Sequence, residues 1–583
     1  MQLVDNGALT AVLLFGGPLA FVLGLVLLVL YKRTLGRNMR GVAAVARFGD
    51  PDNDARRKPL SPLTYRIEDL GGRQAVAPSV ALSSDATFRS AAIYSAAALV
   101  FGIVATCLLF ALSHTQFLPL RTACVIWIYA WPIVLTLNLL WSSDRRRQLA
   151  VVAYYASVIA LFCLWSALSD SRPSTVATIT FPAFANPILL WALYAAPSLF
   201  LLLFLNRTVR AVGPVLLIFG SLVFLGWHIA TVALGTSVGM QAATWVFAST
   251  EIGAGILWFG VIGVGLVIGA VFGWLVVGRV AKAYSARRFS EQMLIVDSIW
   301  FLQALLLCSS LSFEVGYWGV AGLLPFAAYK IVTVLELRAF STKLDRQPVR
   351  LLLLRVFGFG RRSSRLMDLI AARWRYTGSI FLIAAPDLAA RTIEPGKLLT
   401  FLRGRLGSLF VHHQTELGRR LAAFDERRDP DGRFRIAELF CAGDVWRAAV
   451  QLLMTEAHVV VMDLRSFGPE HQGCVFELQT LLDTVPLERL ILIVDRGTQL
   501  PFLKQILEER WRELRIDSPN GHTSPPRVRL IEVDGSESRV VRHLIRVAAV
   551  IARAAPSRDD PLDPDPALTF PGTSGALPIT SAT

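Results

Sequence analysis

The stretch HVVVMDLRSFGPEHQGCVFELQTLL, from His458 to Leu482, combines a short strand pattern with a short helix pattern. An apolar run ends at Asp463, and a run with helical spacing begins near Cys474 and carries Glu477. A buried strand followed by a loop and a helix is the repeating unit of parallel α/β sheets. The stretch therefore predicts a soluble α/β domain late in the chain.

Further short apolar runs alternate with helical patterns around this stretch. They are SIFLIAA at Ser379–Ala385, RLILIVD at Arg489–Asp495 and VRLIEVD at Val528–Asp534. We expect helices at Val445–Thr455, Cys474–Leu482, Phe502–Leu514 and Arg539–Ala554, with a largely helical insert over Lys397–Ala423. RLAAFD at 420–425 is a candidate fifth strand. This alternation predicts a doubly wound parallel sheet over residues 376–555.

The chain before this domain is built from long apolar runs. Of the 583 residues, 54% are hydrophobic and 17% charged, whereas soluble domains have about one quarter charged residues. Apolar runs of about 20 residues can cross a hydrocarbon core as helices. We predict an α-helical transmembrane bundle of eight or nine spans within residues 1–336. The expected spans lie near 8–31, 91–112, 122–142, 149–168, 186–205, 211–235, 252–278, 293–312 and 316–335.

The loops between these spans differ in basic charge. One alternate set, which includes 32–90, holds most of the lysines and arginines, and the opposite set holds little beyond Arg121 and Arg172. This bias predicts that the Arg-rich loops and the C-terminal domain are cytoplasmic, with the N-terminus outside, in a bacterial inner membrane. Topology and contact with an anionic leaflet then explain the net charge of +15, so nucleic acid is not an expected partner.

A basic segment at 337–375 joins the two predicted domains. Its apolar run Leu351–Leu354 lies between Arg350 and Arg355, a pattern typical of a segment at an anionic lipid surface. The following GFGRR, at Gly358, lacks the third glycine of a dinucleotide fingerprint, and no convincing strand pattern precedes it. We interpret it as a hinge after an interfacial helix.

Charged residues inside the spans are candidates for function. Asp297 and Lys330 fall in the last two spans and could pair, because charges are costly in hydrocarbon. The simpler interpretation is that both extend to the cytoplasmic interface. The six cysteines and eight histidines show no metal-ligand spacing, so we expect no metal site. The tail at 556–583, rich in Pro, Asp, Ser and Thr, is predicted to be disordered.

Aspartates follow several of the predicted strands. In doubly wound sheets ligands bind outside the carboxyl ends of the strands, where carboxylates can meet a cation or ribose hydroxyls. The alternative is that each aspartate caps the next turn or helix. The candidate ligand-binding residues are Asp387, Asp463, Asp495, Trp446 and Arg465.

Three segments, FDERRDPDGRFRIAELF (Phe424–Phe440), DVWRAAVQLLMTEAHVVVMDLRSF (Asp444–Phe467) and GCVFEL (Gly473–Leu478), carry a family resemblance. Together they resemble the core of Toll/interleukin-1-receptor (TIR) domains, in which a helix opening with W-C-x-x-E-L follows a buried strand. CVFEL matches the C-x-x-E-L part, and Gly473 stands at the tryptophan position. The resemblance implies a TIR-like fold for the C-terminal domain.

The resemblance also implies an activity. Many bacterial TIR domains split NAD at the nicotinamide–ribose bond, and the glutamate of this motif maps onto Glu477. A carboxylate suits this reaction because positive charge develops on the ribose as nicotinamide leaves. Glu477 is therefore the candidate catalytic residue and NAD the candidate substrate, with no other cofactor indicated. The alternative is an acid in the first turn that stabilises its own helix dipole.

Three functions remain open from the sequence. The first is a membrane-anchored signalling or sensor protein whose TIR-like domain binds a nucleotide or associates with further copies of itself. The second is an NAD glycohydrolase gated by the membrane domain. The third is a transporter or channel with a regulatory α/β domain.

Overall fold

The structure, a computed structural model, consists of a helical bundle and an α/β body. It describes residues 22–37, 56–57, 61–67, 78–112, 117–140, 145–169, 212–250, 252–341, 348–355, 360–383, 395–441, 445–533 and 537–554. The helices of the bundle are 22–37 (α1), Pro78–Leu112 (α2), Pro119–Tyr129 (α3), Pro132–Leu140 (α4), Arg145–Ser169 (α5), Gly213–Gly235 (α6), Ser237–Thr250 (α7), Ala254–Ser285 (α8), Glu291–Val315 (α9) and Leu324–Ser341 (α10).

Five helical stretches in the described chain are long and apolar enough to cross a membrane, which makes this an integral membrane protein by length and composition. They are Asp85–Leu112, Gly213–Gly235, Ala254–Ser285, Glu291–Ser312 and Gly316–Phe340. The pair α3 and α4, bent by 49°, makes a sixth if it is one span. The span expected at 149–168 has only the shorter apolar stretch Gln148–Phe162. The count of nine is not confirmed, and the span expected at 186–205 lies outside the described residues.

Two of these helices, α6 and α8, pack with their backbones in contact. Gly265, Gly269 and Gly273 are spaced four residues apart on α8 and form a stripe along one side of it. A Cβ at Gly269 would lie 2.6 Å from the carbonyl oxygen of Leu222 on α6. Only glycine allows this approach, which is a common way for membrane helices to associate.

The α/β body is built on an eight-stranded parallel sheet. Its strands are Thr64–Ile67 (β2), Leu351–Arg355 (β3), Ile380–Ile383 (β4), Phe410–Val411 (β5), Ile436–Cys441 (β6), Val459–Asp463 (β7), Leu490–Val494 (β8) and Arg527–Glu532 (β10). They lie in the order β2-β10-β8-β7-β3-β4-β6-β5. Two short strands, Arg56–Arg57 (β1) and Leu514–Arg515 (β9), form a separate antiparallel pair.

Helices cover both faces of this sheet. They are Gly360–Trp374 (α11), Pro395–Leu402 (α12), Gln414–Ala422 (α13), Val445–Glu456 (α14), Gln472–Thr484 (α15), Leu500–Trp511 (α16) and Glu537–Ala554 (α17). The helices α11 and α17 pack on one face, and α14, α15 and α16 pack on the other. The sheet is therefore doubly wound, as the alternation of apolar runs predicts.

The strand order places β3 in the centre. From β3 the chain moves outward through β4 to β6, returns to the other side of β3 at β7, and continues outward through β8 to β10. This is the order 3-2-1-4-5-6 of dinucleotide-binding sheets, with β2 and β5 added at the two edges.

The interfacial interpretation of 337–375 is wrong, because Leu351–Leu354 belong to the central strand and are fully buried. Arg350, just before β3, pairs with Glu426 at 2.6 Å and also with Glu456. A parallel strand covered on both faces is a continuous apolar run, which sequence pattern alone does not distinguish from a lipid-facing segment.

Two further boundaries differ from expectation. The strand expected at 420–425 is instead the end of α13, because Leu417, Leu421 and Phe424 have helical spacing toward the core. The loop expected at 32–90 contributes β2 to the sheet, and Trp511 Nε1 donates a hydrogen bond to Ser61 O at 2.9 Å. The α/β body therefore extends well beyond residues 376–555.

Candidate functional site

The centre of the sheet is its topological switch point. The chain leaves the carboxyl ends of β3 and β7 in opposite directions, and Arg355 and Asp463, the last residues of these strands, are paired in register. A crevice at such a point is the usual ligand site of doubly wound sheets. Both residues are buried, with exposed fractions of 7% and 5%.

Glu477 lies beside this point, on the second turn of α15. Its side chain is 2% exposed, and its Oε2 has no hydrogen-bond partner in the described part of the chain. It borders a small cavity near the carboxyl ends of β3 and β4. The lining residues are Leu353, Leu354, Arg355, Met367, Leu382, Ile383 and Glu477. The cavity has space for about one water molecule.

Burial changes the acidity of this carboxyl group. Desolvation raises the pKa of Glu477 to about 8, and the charge of Arg355 opposes the rise. The group is therefore largely protonated at neutral pH and can donate a hydrogen bond or a proton. An unpartnered carboxyl oxygen at the switch point is a costly feature, and such groups concentrate at functional sites.

Asp463 and Arg465 are brought together, but they bind each other. Arg465 donates from Nε to Asp463 Oδ1 at 2.8 Å and from Nη2 to Oδ2 at 2.9 Å. Its Nη1 donates to Glu537 on α17 at 3.1 Å, and Glu537 also pairs with Arg365 on α11 at 3.1 Å. This network connects β7 to both helices of one face, so it positions the switch point.

The other candidates have structural contacts. Asp495 accepts hydrogen bonds from the backbone amides of Ser466 at 2.8 Å and Gly497 at 3.0 Å, so it caps a turn. Trp446 packs edge-to-face against Phe476, with ring centroids 5.5 Å apart. Asp387 lies outside the described residues.

Sequence reasoning missed the unit formed by β3 and α11. Because β3 ends at Arg355 and α11 begins at Gly360, a buried strand does precede GFGRR and a helix does follow it. β4 then returns parallel to β3 and beside it. This is the structural context that a dinucleotide fingerprint requires, with Ser363 at the third glycine position. The signal in the sequence is the run LLLLR, which ends two residues before the glycine pair.

The bundle holds a second charged site. Asp297 on α9 is 9% exposed, binds Lys330 on α10, and accepts a hydrogen bond from the Tyr329 hydroxyl at 3.3 Å. The ammonium group of Lys330 also lies 5.0 Å from the ring centroid of Phe289. Of the two alternatives that the sequence left open for Asp297 and Lys330, the structure therefore shows the ion pair. In the described ranges, no group of three or more His, Cys, Asp or Glu residues could hold a metal ion.

The fold and these sites define a class: an integral membrane protein that carries a doubly wound parallel-sheet body. Comparison with protein-family models, with curated proteins and with solved structures found no match to this chain. The resemblance to TIR domains stays a prediction.

Proposed function

We propose that this chain is a membrane-anchored sensor whose α/β body binds a nucleotide at the switch point, on the cytoplasmic side of a bacterial inner membrane. The observation that carries the proposal is the unit β3–α11–β4 at the centre of a sheet with the strand order of dinucleotide-binding proteins. The same strand order would suit a dinucleotide such as NAD better than a small anion.

Phosphate groups fit the start of α11. The first amides of a helix have no partner within the helix and favour negative charge. Gly358 and Gly360 lack side chains, which permits close approach of a diphosphate, and Arg361, Arg362 and Arg365 add positive charge nearby in the sequence. Glu477 lies beside the carboxyl end of β3, the strand that precedes α11, and its Oε2 is buried and unpartnered in the described part of the chain. This carboxyl group supports a ligand site independently of the start of α11.

Ribose hydroxyls fit the end of β4. In dinucleotide-binding sheets an acidic residue following the second strand of the first βαβ unit binds them. Asp387 follows β4 in the sequence and is the candidate for this role. Of the predicted binding residues, Asp463, Asp495, Trp446 and Arg465 then act by shaping the site, because each is engaged in contacts within the protein.

Nucleotide binding is tested on the full-length protein in lipid nanodiscs. We expect NAD, NADH or ADP-ribose to raise its melting temperature, and Gly360→Val to weaken binding at least tenfold by calorimetry. The matched control is Gly418→Val on α13, where an added Cβ meets no atom within 4 Å. The proposal is lost if none of these ligands, at millimolar concentration, binds the parent protein.

NAD hydrolysis is the second candidate, and the observation in its favour is Glu477. The cavity beside Glu477 has room for about one water molecule and is too small for a ribose, so turnover requires this region to open in a liganded or clustered state. Nicotinamide release by the clustered protein, abolished by Glu477→Gln, would establish the enzyme. Binding of NAD without release would leave the sensor, with association of several copies as its means of signalling.

A transporter or channel is the third candidate, carried by the partly buried pair of Asp297 and Lys330. Charged groups within spans commonly mark an ion or proton path. Proteoliposome flux that is lost in both Asp297→Asn and Lys330→Met would support transport. Equal flux in the parent protein and both variants would exclude this pair from any transport path.

A further inference from the structure

The loop that precedes β6 packs against the turn between α8 and α9. This loop, residues 425–435, places Arg435 against the turn: its Nη2 donates to Tyr284 O at 2.8 Å and to Phe289 O at 3.0 Å. The Arg435 guanidinium also lies 3.9 Å from the ring centroid of Tyr284. Because Arg435 donates to backbone carbonyl oxygens, these contacts depend on the backbone conformation of the turn as well as on charge.

Two carboxylates, one of them buried, complete this joint between the two bodies. Asp429, 1% exposed, accepts from Arg435 Nε at 3.0 Å and from Arg287 Nη1 at 3.3 Å. Arg287 also pairs with Asp425 at 3.3 Å. Removing one partner from such a cluster leaves an uncompensated buried charge, so the joint resists partial opening.

The first turn of α9 is part of the same joint. Ser290 caps α9 by accepting a hydrogen bond from the Met293 amide at 3.0 Å. Glu291, the first residue of α9, pairs with Arg375 at 3.4 Å, and Arg375 Nε donates to Phe434 O at 2.6 Å. The N-terminus of α9 therefore contacts two segments of the α/β body. Arg375 lies before β4 in the sequence, and Arg435 lies after it.

The same helix carries the intramembrane pair. Asp297 lies six residues after Glu291, about 9 Å along the axis at 1.5 Å per residue, and binds Lys330 and Tyr329 on α10. In the most apolar 18-residue stretch of α9, 83% of the residues are buried, whereas in that of α8 only 22% are buried. A helix packed on all sides moves as a unit between discrete positions, because packed interiors deform little.

We propose that α9 couples the α/β body to the bundle: displacement of loop 425–435 moves α9 and alters the Asp297–Lys330 pair. The contacts run without interruption from Arg375 to Glu291, along α9 to Asp297, and across to α10. The joint lies at the amino ends of β4 and β6, so the coupling does not depend on which function the α/β body has.

Hydrogen exchange of the full-length protein in phosphatidylethanolamine–phosphatidylglycerol nanodiscs tests the coupling. We expect Glu291→Gln to raise exchange several-fold in residues 326–333, around Lys330. Equilibrium coupling is reciprocal, so Asp297→Asn should raise exchange in residues 427–436. Exchange in β8 should stay at the parent level, because this strand contacts neither site.

Two further variants keep the test decisive. Arg375→Lys replaces Glu291→Gln in the test if Glu291→Gln impairs folding. It retains the positive charge, so we expect a smaller increase in exchange in residues 326–333. Asp517→Asn removes one side of an exposed ion pair, with Arg515 Nε 3.0 Å from Asp517 Oδ1, and should change neither region. Changes confined to the surroundings of each substitution, or equal changes across the whole protein, would overturn the proposal.

Discussion

At the scale of single residues, Glu477 makes the free energy of unfolding depend on pH. Its pKa, about 8 in the folded protein, lies above the value of about 4.3 for an unfolded glutamate. The folded state therefore binds more protons between these values, so the stability contributed by the protonated group is complete below pH ~4.3 and is lost as pH rises through 8.

The substitution Glu477→Gln should remove this dependence. We expect the melting temperature of the parent protein to fall from pH 5 to pH 8 and that of Glu477→Gln to fall less, with the variant the more stable at pH 8. Thermal unfolding across this pH range measures it. Glu470→Gln is the control, since its carboxyl group is mostly exposed. Parallel curves for the parent protein and Glu477→Gln would contradict the assigned pKa.

Arg465 tests the network beside Glu477. Arg465→Ala leaves Asp463 buried without its bidentate partner, and loss of one partner of a buried pair costs about 3–5 kcal/mol. The exposed pair of Arg515 and Asp517 is the comparison, where Arg515→Ala should cost less than about 1 kcal/mol. Chemical denaturation of the α/β body gives both values, and similar costs would mean that the Arg465 network is not a structural support.

At the scale of elements, the glycine stripe of α8 allows a direct test of helix packing. Gly269→Val should force α8 from α6, because its Cβ would lie 2.6 Å from Leu222 O, and folded yield and melting temperature should fall. Gly263→Val on the same helix adds a Cβ with no atom within 4 Å and should be tolerated. Similar yields for the two variants would argue against this packing.

Strand prediction also succeeded and failed for identifiable reasons. The strands β4, β7, β8 and β10 could be predicted because polar residues and turns bound each apolar run. The strand β3 is not predicted because arginines flank it, and Arg350 and Arg355 resemble the basic residues of a segment at a lipid surface. In the structure Arg350 pairs with Glu426, and Arg355 lines the cavity beside Glu477. The sequence gives two reasons against a fingerprint at GFGRR, the missing third glycine and the lack of a preceding strand, and β3 removes only the second.

At the scale of the whole molecule, the α/β body is assembled from distant parts of the chain. A fragment of residues 376–555 lacks the central strand β3, the helix α11 and the edge strand β2. We expect it to be insoluble, because β4 and β7 lose the strand between them and α17 loses its neighbour α11. Adding residues 346–375 should recover partial folding. Circular dichroism and gel filtration compare the two, and a well-folded 376–555 fragment would refute this assembly.

The sequence alone determined that a membrane bundle is joined to a doubly wound sheet, because apolar run length and the alternation of strand and helix patterns are local properties. It also singled out Glu477, through the resemblance to TIR domains, and Asp297 and Lys330, as charged residues inside apolar runs. Only the tertiary structure decided that Leu351–Arg355 is the centre of the sheet and that loop 425–435 holds the start of α9. Those facts depend on which distant residues bury an apolar run or neutralise a charge, and no local pattern records them.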